Sequence, residues 1–258
     1  MTNILSTKSI ILGIVASSTF SFPAFAEDGG SAYIGVSAGY DWSTADVTTS
    51  TVFSSTGYFA TTSVPAINAD GIQRIKPRSL DVGIDAGYDY RSGGMIFGLA
   101  ADISSVNNTR TATVTSIYPC CAPTAYTITQ SVKTKWMTTV RAKLGVNAGP
   151  ADIYVTGGWA GEKVRYSAQF TDTFATASES ATADKFRSGW VVGGGADIRV
   201  GSNWSIQPEF LHAEFGTLTV PGGTITAFSP AQSFPTNVFT HTMKLRTDVA
   251  RVGLHYHF

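Results

Sequence analysis

The chain has 258 residues, 18 basic and 18 acidic, with charged side chains only 14% of the total and 26 glycines. A zero charge balance removes the electrostatic footprint expected of a nucleic-acid binder and gives no polybasic anchor to a membrane. Sparse charge with abundant glycine and aromatic residues suits many strands joined by tight turns, so a single all-β domain is expected.

The chain opens with Lys8 ahead of the apolar run Ile10 to Ala16, followed by the small-residue site Ala24-Phe25-Ala26, the pattern of a cleaved secretory leader. That run is shorter than the roughly 20 residues a spanning helix needs. Removing residues 1–26 leaves 232 of 258 residues and costs one cation, Lys8, so 17 basic side chains face 18 acidic ones.

Eight segments of period-2 alternation follow in residues 27–258. In the first, Ile34, Val36, Ala38, Tyr40 and Trp42 oppose Tyr33, Gly35, Ser37, Gly39 and Asp41. In the second, Leu80, Val82, Ile84, Ala86, Tyr88 and Tyr90 oppose Asp81, Gly83, Asp85, Gly87, Asp89 and Arg91, a segregation that a helix would scatter. Ser92-Gly93-Gly94 turns into a third, with Met95, Phe97, Leu99, Ala101 and Ile103 opposite Gly98, Ala100, Asp102 and Ser104. The fourth, residues 134–147, puts Trp136, Thr138, Val140, Ala142, Leu144 and Val146 outside and Lys135, Thr139, Arg141, Lys143 and Gly145 inside.

After Gly149-Pro150 the fifth places Ile153, Val155 and Trp159 opposite Tyr154, Thr156 and Glu162. The sixth sets Trp190, Val192, Ala196, Ile198 and Val200 against Gly189, Gly193, Gly195, Asp197 and Arg199. The seventh sets Trp204, Ile206, Pro208 and Phe210 against Ser205, Gln207 and Glu209, with a bulge expected at Pro208. The eighth alternates Ala250, Val252, Leu254, Tyr256 and Phe258 with Val249, Arg251, Gly253, His255 and His257.

Short connections (92–94, 149–151, 201–203) alternate with long ones (about 43–79, 105–132, 166–185 and 216–244). That rhythm predicts an eight-stranded antiparallel transmembrane β-barrel with short periplasmic turns and four long extracellular loops. A soluble eight-stranded barrel would place its large apolar residues inside, the reverse of these faces. The aromatic residues sort the same way. Tyr40, Trp42, Trp136, Trp159 and Trp190 fall near the outer strand ends, and Tyr88, Tyr90, Phe97, Trp204, Tyr256 and Phe258 near the inner ends. Two such levels are the girdles that ring systems with one polar edge form at headgroup depth.

Tyr33 to Tyr40, Tyr154-Val155-Thr156-Gly157-Gly158, Asn203-Trp204-Ser205-Ile206 with Glu209-Phe210, and Val252 to Phe258 resemble the small porin-like or opacity-type surface-antigen family. These are eight-stranded outer-membrane barrels related in form to the OmpA transmembrane domain. The resemblance implies a bacterial outer-membrane location and a role as surface antigen, envelope stabiliser or adhesin, with haem binding in some branches. It also implies outer-membrane lipid and lipopolysaccharide as surroundings. A terminal aromatic residue, Phe258, looks like the signal read by the barrel assembly machinery. The chain stops with the barrel, so no peptidoglycan-binding domain is expected to follow it.

Eight strands give a lumen that side chains nearly fill, so an open pore is not expected. The expected inward charges are Asp81, Asp85, Asp89, Asp102, Glu162, Asp197 and Glu209 with Arg91, Lys135, Arg141, Lys143, Arg199 and Arg251. Seven acids against six bases favour a paired structural network over a single-sign ring that would select an ion. The function expected is therefore non-enzymatic, structural and surface-presenting. The alternatives are a ligand-binding or adhesive surface protein and a narrow porin for small solutes.

His255 and His257 share a face, but no third metal ligand is evident beside them, so no metal is expected. No histidine of His212, His241, His255 and His257 stands in a pattern that would activate a serine, so no catalytic residue is assigned. The adjacent Cys120-Cys121 lack metal or redox spacing and are expected as a local vicinal disulfide or as loop thiols, with an interchain link the alternative. Function is expected in the long loops, where a host or cell-surface ligand would be met. His241, Tyr58, Tyr118 and Tyr126 are the candidates there for a haem axial ligand. Apart from that alternative no cofactor is expected.

Overall fold

The structure is a computed structural model that describes residues 29–258; the leader expected over residues 1–26 lies outside the described residues. In chain order the elements are β1 (Gly29–Thr51), α1 (Ser63–Asp70), β2 (Ile72–Ile75), β3 (Arg78–Ser92), β4 (Met95–Ile117), β5 (Ala125–Asn147), β6 (Ala151–Asp172), β7 (Ser178–Arg199), β8 (Trp204–Ala227) and β9 (Gln232–His257). Strands β1 and β3 to β9 pair antiparallel in succession, and β1 pairs with β9 from Tyr33↔His257 to Thr51↔Phe239. That last ladder closes an eight-strand ring. Strand β2 adds a short flap to β1, Ala45 facing Ile75.

Near the short turns the barrel is inside out relative to a soluble one. Leu80, Leu99 and Val155 are 73%, 64% and 63% exposed on the outer wall, while Asp81, Asp89, Asp102 and Glu209 are buried. Such a wall suits hydrocarbon, because strand ladders close around the ring and apolar side chains project outward. At the turn between β3 and β4, where Ser92 pairs with Met95, Gly93 and Gly94 have φ +57° and +81°. A two-residue turn of this hand needs positive φ at both positions, which a Cβ would oppose.

The four long outer segments are largely strand. The β4–β5, β6–β7 and β8–β9 connections narrow to residues 118–124, 173–177 and 228–231, and only residues 52–77 keep a longer excursion, carrying α1 and β2. At about 3.3 Å per residue the 26 residues of β9 run about 86 Å, whereas about 9–11 tilted residues cross a bilayer. More than half of the barrel therefore stands beyond the apolar band.

In this extension the faces reverse. Tyr126, Ile128, Gln130 and Val132 point in, and Thr127, Thr129, Ser131 and Lys133 point out. Water replaces lipid outside, so apolar side chains turn to the interior. They build a cluster around Val47, Val132, Met137, Leu211, Phe215 and Met243, and above it a second around Phe59, Ile67, Tyr126, Phe170 and Phe239.

In β5 and β8 a change of phase accompanies the change of face, whereas β1 and β9 keep odd positions inward along their length. Strand β5 carries an extra residue between Thr134 and Met137 against β6, so even positions point inward above it and odd ones below. Strand β8 does the same between Glu214 and Thr217, where Gly216 has φ +64°. The bulge expected at Pro208 is absent. Pro208 stays in register with Val252, and the ladder to β7 lapses between Gly195↔Glu209 and Ile198↔Ile206 without a shift. A missing N–H requires only a missing bond, and the gap supplies it.

Candidate functional site

The lumen is crossed by one connected set of charges. Glu209 on β8 accepts from Arg141 Nη1 of β5 at 2.6 Å and from Arg251 Nε and Nη2 of β9 at 3.1 and 2.8 Å. Asp102 on β4 accepts from Arg251 Nη1 at 2.7 Å and Arg141 Nη2 at 3.4 Å, with Thr139 Oγ1 a further donor. Tyr154 Oη donates to Glu209 at 3.0 Å. Two acids and two guanidiniums thus neutralise one another from four strands, each at most 6% exposed. The bidentate geometry suits the planar guanidinium, and a buried charge is tolerable only when so satisfied.

Nearer the short turns, Lys143 Nζ bonds Asp89 at 2.9 Å and sits 4.8 and 4.7 Å from the ring centres of Tyr33 and Tyr154. Arg91 and Arg199 share the Asp152 carboxylate at 2.7 and 3.1 Å. Asp152 was not among the expected inward charges, although it shares the parity of Tyr154 and Thr156. Asp81, Glu162 and Asp197 are buried, and Asp85 lies 2.7 Å from His255. Lys135 is a correction. The extra residue in β5 turns it outward, where it is 38% exposed and meets Asp184 at 3.4 Å.

The outer end is plugged. His241, fully buried, places Nδ1 2.9 Å from Thr49 Oγ1 and Nε2 3.3 Å from Glu179. Tyr58 and Tyr118 donate to Asp172 at 2.6 and 3.0 Å, and Tyr126 donates to Asp70 at 2.7 Å. Burial, reinforced by the Asp172 carboxylate, raises the pKa of Tyr58 and Tyr118 well above the ordinary phenol value. These four side chains all hold partners inside the plug. Cys120 and Cys121 form a vicinal disulfide at the β4–β5 tip.

On the outer wall Trp159 pairs directly with Trp190, and Phe186 bridges Trp136 and Trp159 at 5.5 and 6.1 Å. Tyr40 and Trp42 continue this level, Trp42 packing 6.0 Å from Phe210. Tyr88, Tyr90 and Phe97 stand at the other level, with Trp204 against Tyr256 at 5.2 Å and Tyr256 against Phe258 at 5.2 Å. The Phe258 ring is exposed, while its N–H bonds Ala32. His212 faces outward beside Trp190, 2.7 Å from Asp248. His255 and His257 do gain a third neighbour, Asp197 of β7, with one ligand atom of each inside 4.8 Å. Chain proximity conceals it, since 58 positions separate Asp197 from His255 and only the ring brings them together.

Residues 12–258 match the family model described as an outer membrane protein beta-barrel domain. The 31 kDa outer-membrane immunogenic protein of Brucella melitensis biotype 1 is 29% identical over 138 residues, 52% of this chain and 53% of that protein. The chain thus spans about half the length of that curated relative. Among solved structures, the outer-membrane protease OmpT from Escherichia coli is 10% identical, with 94% of this chain and 100% of that one covered and a TM-score of 0.45. The attachment invasion locus protein Ail of Yersinia pestis, in complex with the heparin analogue sucrose octasulfate, is 12% identical over 88% and 99% of the two chains, with a TM-score of 0.38.

Proposed function

The chain belongs to the family of outer-membrane β-barrel domains and lies in the bacterial outer membrane, and we propose that it serves there as a non-conducting, non-enzymatic envelope scaffold. It displays a rigid turret at the cell surface. The observation that supports this reading is the Arg141–Glu209–Arg251–Asp102 network that crosses the lumen, with two apolar clusters in the extension above it. Paired charges across the lumen with packed apolar side chains above them oppose an aqueous path. A surface-antigen role agrees with the name of the Brucella relative.

The outer wall supports contact with lipopolysaccharide. Lys133, Lys135, Lys163 and Arg165 gather beside a single acid, Asp184, directly above Trp136, Trp159 and Phe186. Four cations at headgroup height suit lipid phosphates. A second reading, an adhesive contact, rests on the tip, where Phe174 and Phe228 are exposed around Tyr58 at 6.2 and 6.1 Å, with Phe53 also exposed.

Single cysteines at Ala231 and Ser202 test the display. On intact cells a membrane-impermeant maleimide labels Ala231→Cys at the β8–β9 tip and leaves Ser202→Cys in the short β7–β8 turn unlabelled. Labelling of Ser202→Cys alone contradicts the reading.

A further inference from the structure

At the short-turn end of the lumen, three side chains converge that the ion-pair network leaves out. His255 and His257 stand two residues apart on β9 and therefore share a face, and Asp197 reaches them from β7 across β8. One ligand atom from each lies within 4.8 Å of the other two. Asp152, the cross-strand partner of Asp197, takes both Arg91 and Arg199. Asp197 keeps the His257 imidazole at 3.8 Å.

A second observation points to a missing partner. Asp197 is 2% exposed and His255 0% exposed, and both Asp197 carboxylate oxygens and His255 Nδ1 lack a hydrogen-bond partner among the described residues. Buried groups of this kind are almost always satisfied, and one cation seated between them would satisfy both. Asp85 Oδ2 stands 2.7 Å from His255 Nε2, the place of a carboxylate that orients a metal-bound imidazole. Tyr33 stacks on His255 at 4.7 Å and 12°, which fixes the ring plane. His257, its side chain 15% exposed, opens the cluster to the short-turn mouth and has only the Ser205 and Ser31 hydroxyls, at 2.8 and 3.4 Å, to exchange.

We infer that Asp197, His255 and His257 bind a divalent cation of the zinc class at the periplasmic mouth of the lumen, tying β7 to the terminal strand β9. Two imidazoles and a carboxylate suit zinc and its first-row neighbours, whereas calcium and magnesium take oxygen donors. Bonds of about 2.0–2.2 Å place the ligand atoms of a tetrahedral site about 3.4 Å apart. Loading therefore draws the three side chains together by at most about 1.4 Å, a change within rotamer reach.

The test uses the tag-free chain folded in detergent, freed of metal by a chelator and titrated with zinc chloride in a calorimeter. Unheated gel mobility establishes that each variant is folded. Expected are one zinc per wild-type chain, a raised thermal midpoint, and loss of both in His257→Gln and Asp197→Asn. Asp85→Asn weakens binding about 10–100-fold, and His212→Gln, on the outer wall, retains it. Should Asp197→Asn fail to fold, His257→Gln at the exposed mouth decides alone. Absence of stoichiometric binding to the wild type, zinc binding that survives His257→Gln, or calcium binding as tightly as zinc overturns the inference.

Discussion

Arg251→Met removes the hub of the lumen network and gives its most quantitative test. Arg251 makes three charge-assisted bonds, one to Asp102 at 2.7 Å and two to Glu209 at 2.8 and 3.1 Å. In the variant Glu209 keeps Arg141 Nη1 and Tyr154, but Asp102 falls back on Thr139 and a 3.4 Å contact with Arg141. Two acids then share one guanidinium, so net negative charge stays buried. Removing one partner from a buried ion pair costs about 3–5 kcal/mol, mostly the penalty of the charge left behind. Adding Asp102→Asn discharges the stranded carboxylate, and the double variant recovers a coupling energy of about 1–3 kcal/mol. The assay is urea unfolding from lipid vesicles, followed by tryptophan fluorescence and by gel mobility without heating. A loss under about 1 kcal/mol for Arg251→Met, or strict additivity in the double variant, would show that solvent screens these charges and refute a sealed lumen.

Two further outcomes follow from the change of face along each strand and from the outer plug. Val155→Arg, on the lipid-facing wall where Val155 is 63% exposed, costs about 2–4 kcal/mol near the bilayer midplane, whereas Thr129→Arg, outward on the water-facing extension, stays within about 0.5 kcal/mol; equal costs in the same urea assay contradict the two-solvent division. Burial and the Asp172 carboxylate raise the pKa of Tyr58 and Tyr118 on folding. Their contribution is therefore intact below the ordinary phenol value of about 10 and is lost as pH climbs above it. A Tyr58→Phe, Tyr118→Phe double variant loses this stability below about pH 10 and flattens the fall in stability above it, and an unchanged pH dependence contradicts the assignment.

The transmembrane half was legible because its alternation is strict and its solvents differ. Leu80 to Tyr90 against Asp81 to Arg91 admits one register, and Trp159 and Trp190, both expected near the outer strand ends, stand opposite one another. The extension was less legible for a physical reason. Its strands keep period 2, as Tyr126, Ile128, Gln130 and Val132 against Thr127, Thr129, Ser131 and Lys133 show, but small polar residues outside and mixed residues inside weaken the contrast that marks a strand. The phase slips are harder still. Nothing in Thr134-Lys135-Trp136-Met137 announces an extra residue, so parity carried through it puts Lys135 inside, where the ring does not. Gly216 was a visible signal for the other slip, since a glycine at positive φ commonly seats one. Asp197 beside His255 and His257 follows only from closure of the ring across β8, a long-range relation that spacing along the chain does not encode.

Conductance in a planar bilayer tests the sealed lumen most directly. Wild-type protein whose unheated gel mobility shows a folded barrel is expected to leave the bilayer silent at voltages and salt concentrations where open porins give discrete steps. Arg141→Ala with Arg251→Ala is expected to stay silent too, because the apolar clusters around Phe215 and Phe239 still close the extension. Reproducible single-channel steps from the wild type would contradict the scaffold reading and make Asp102, Arg141, Glu209 and Arg251 the lining of a path.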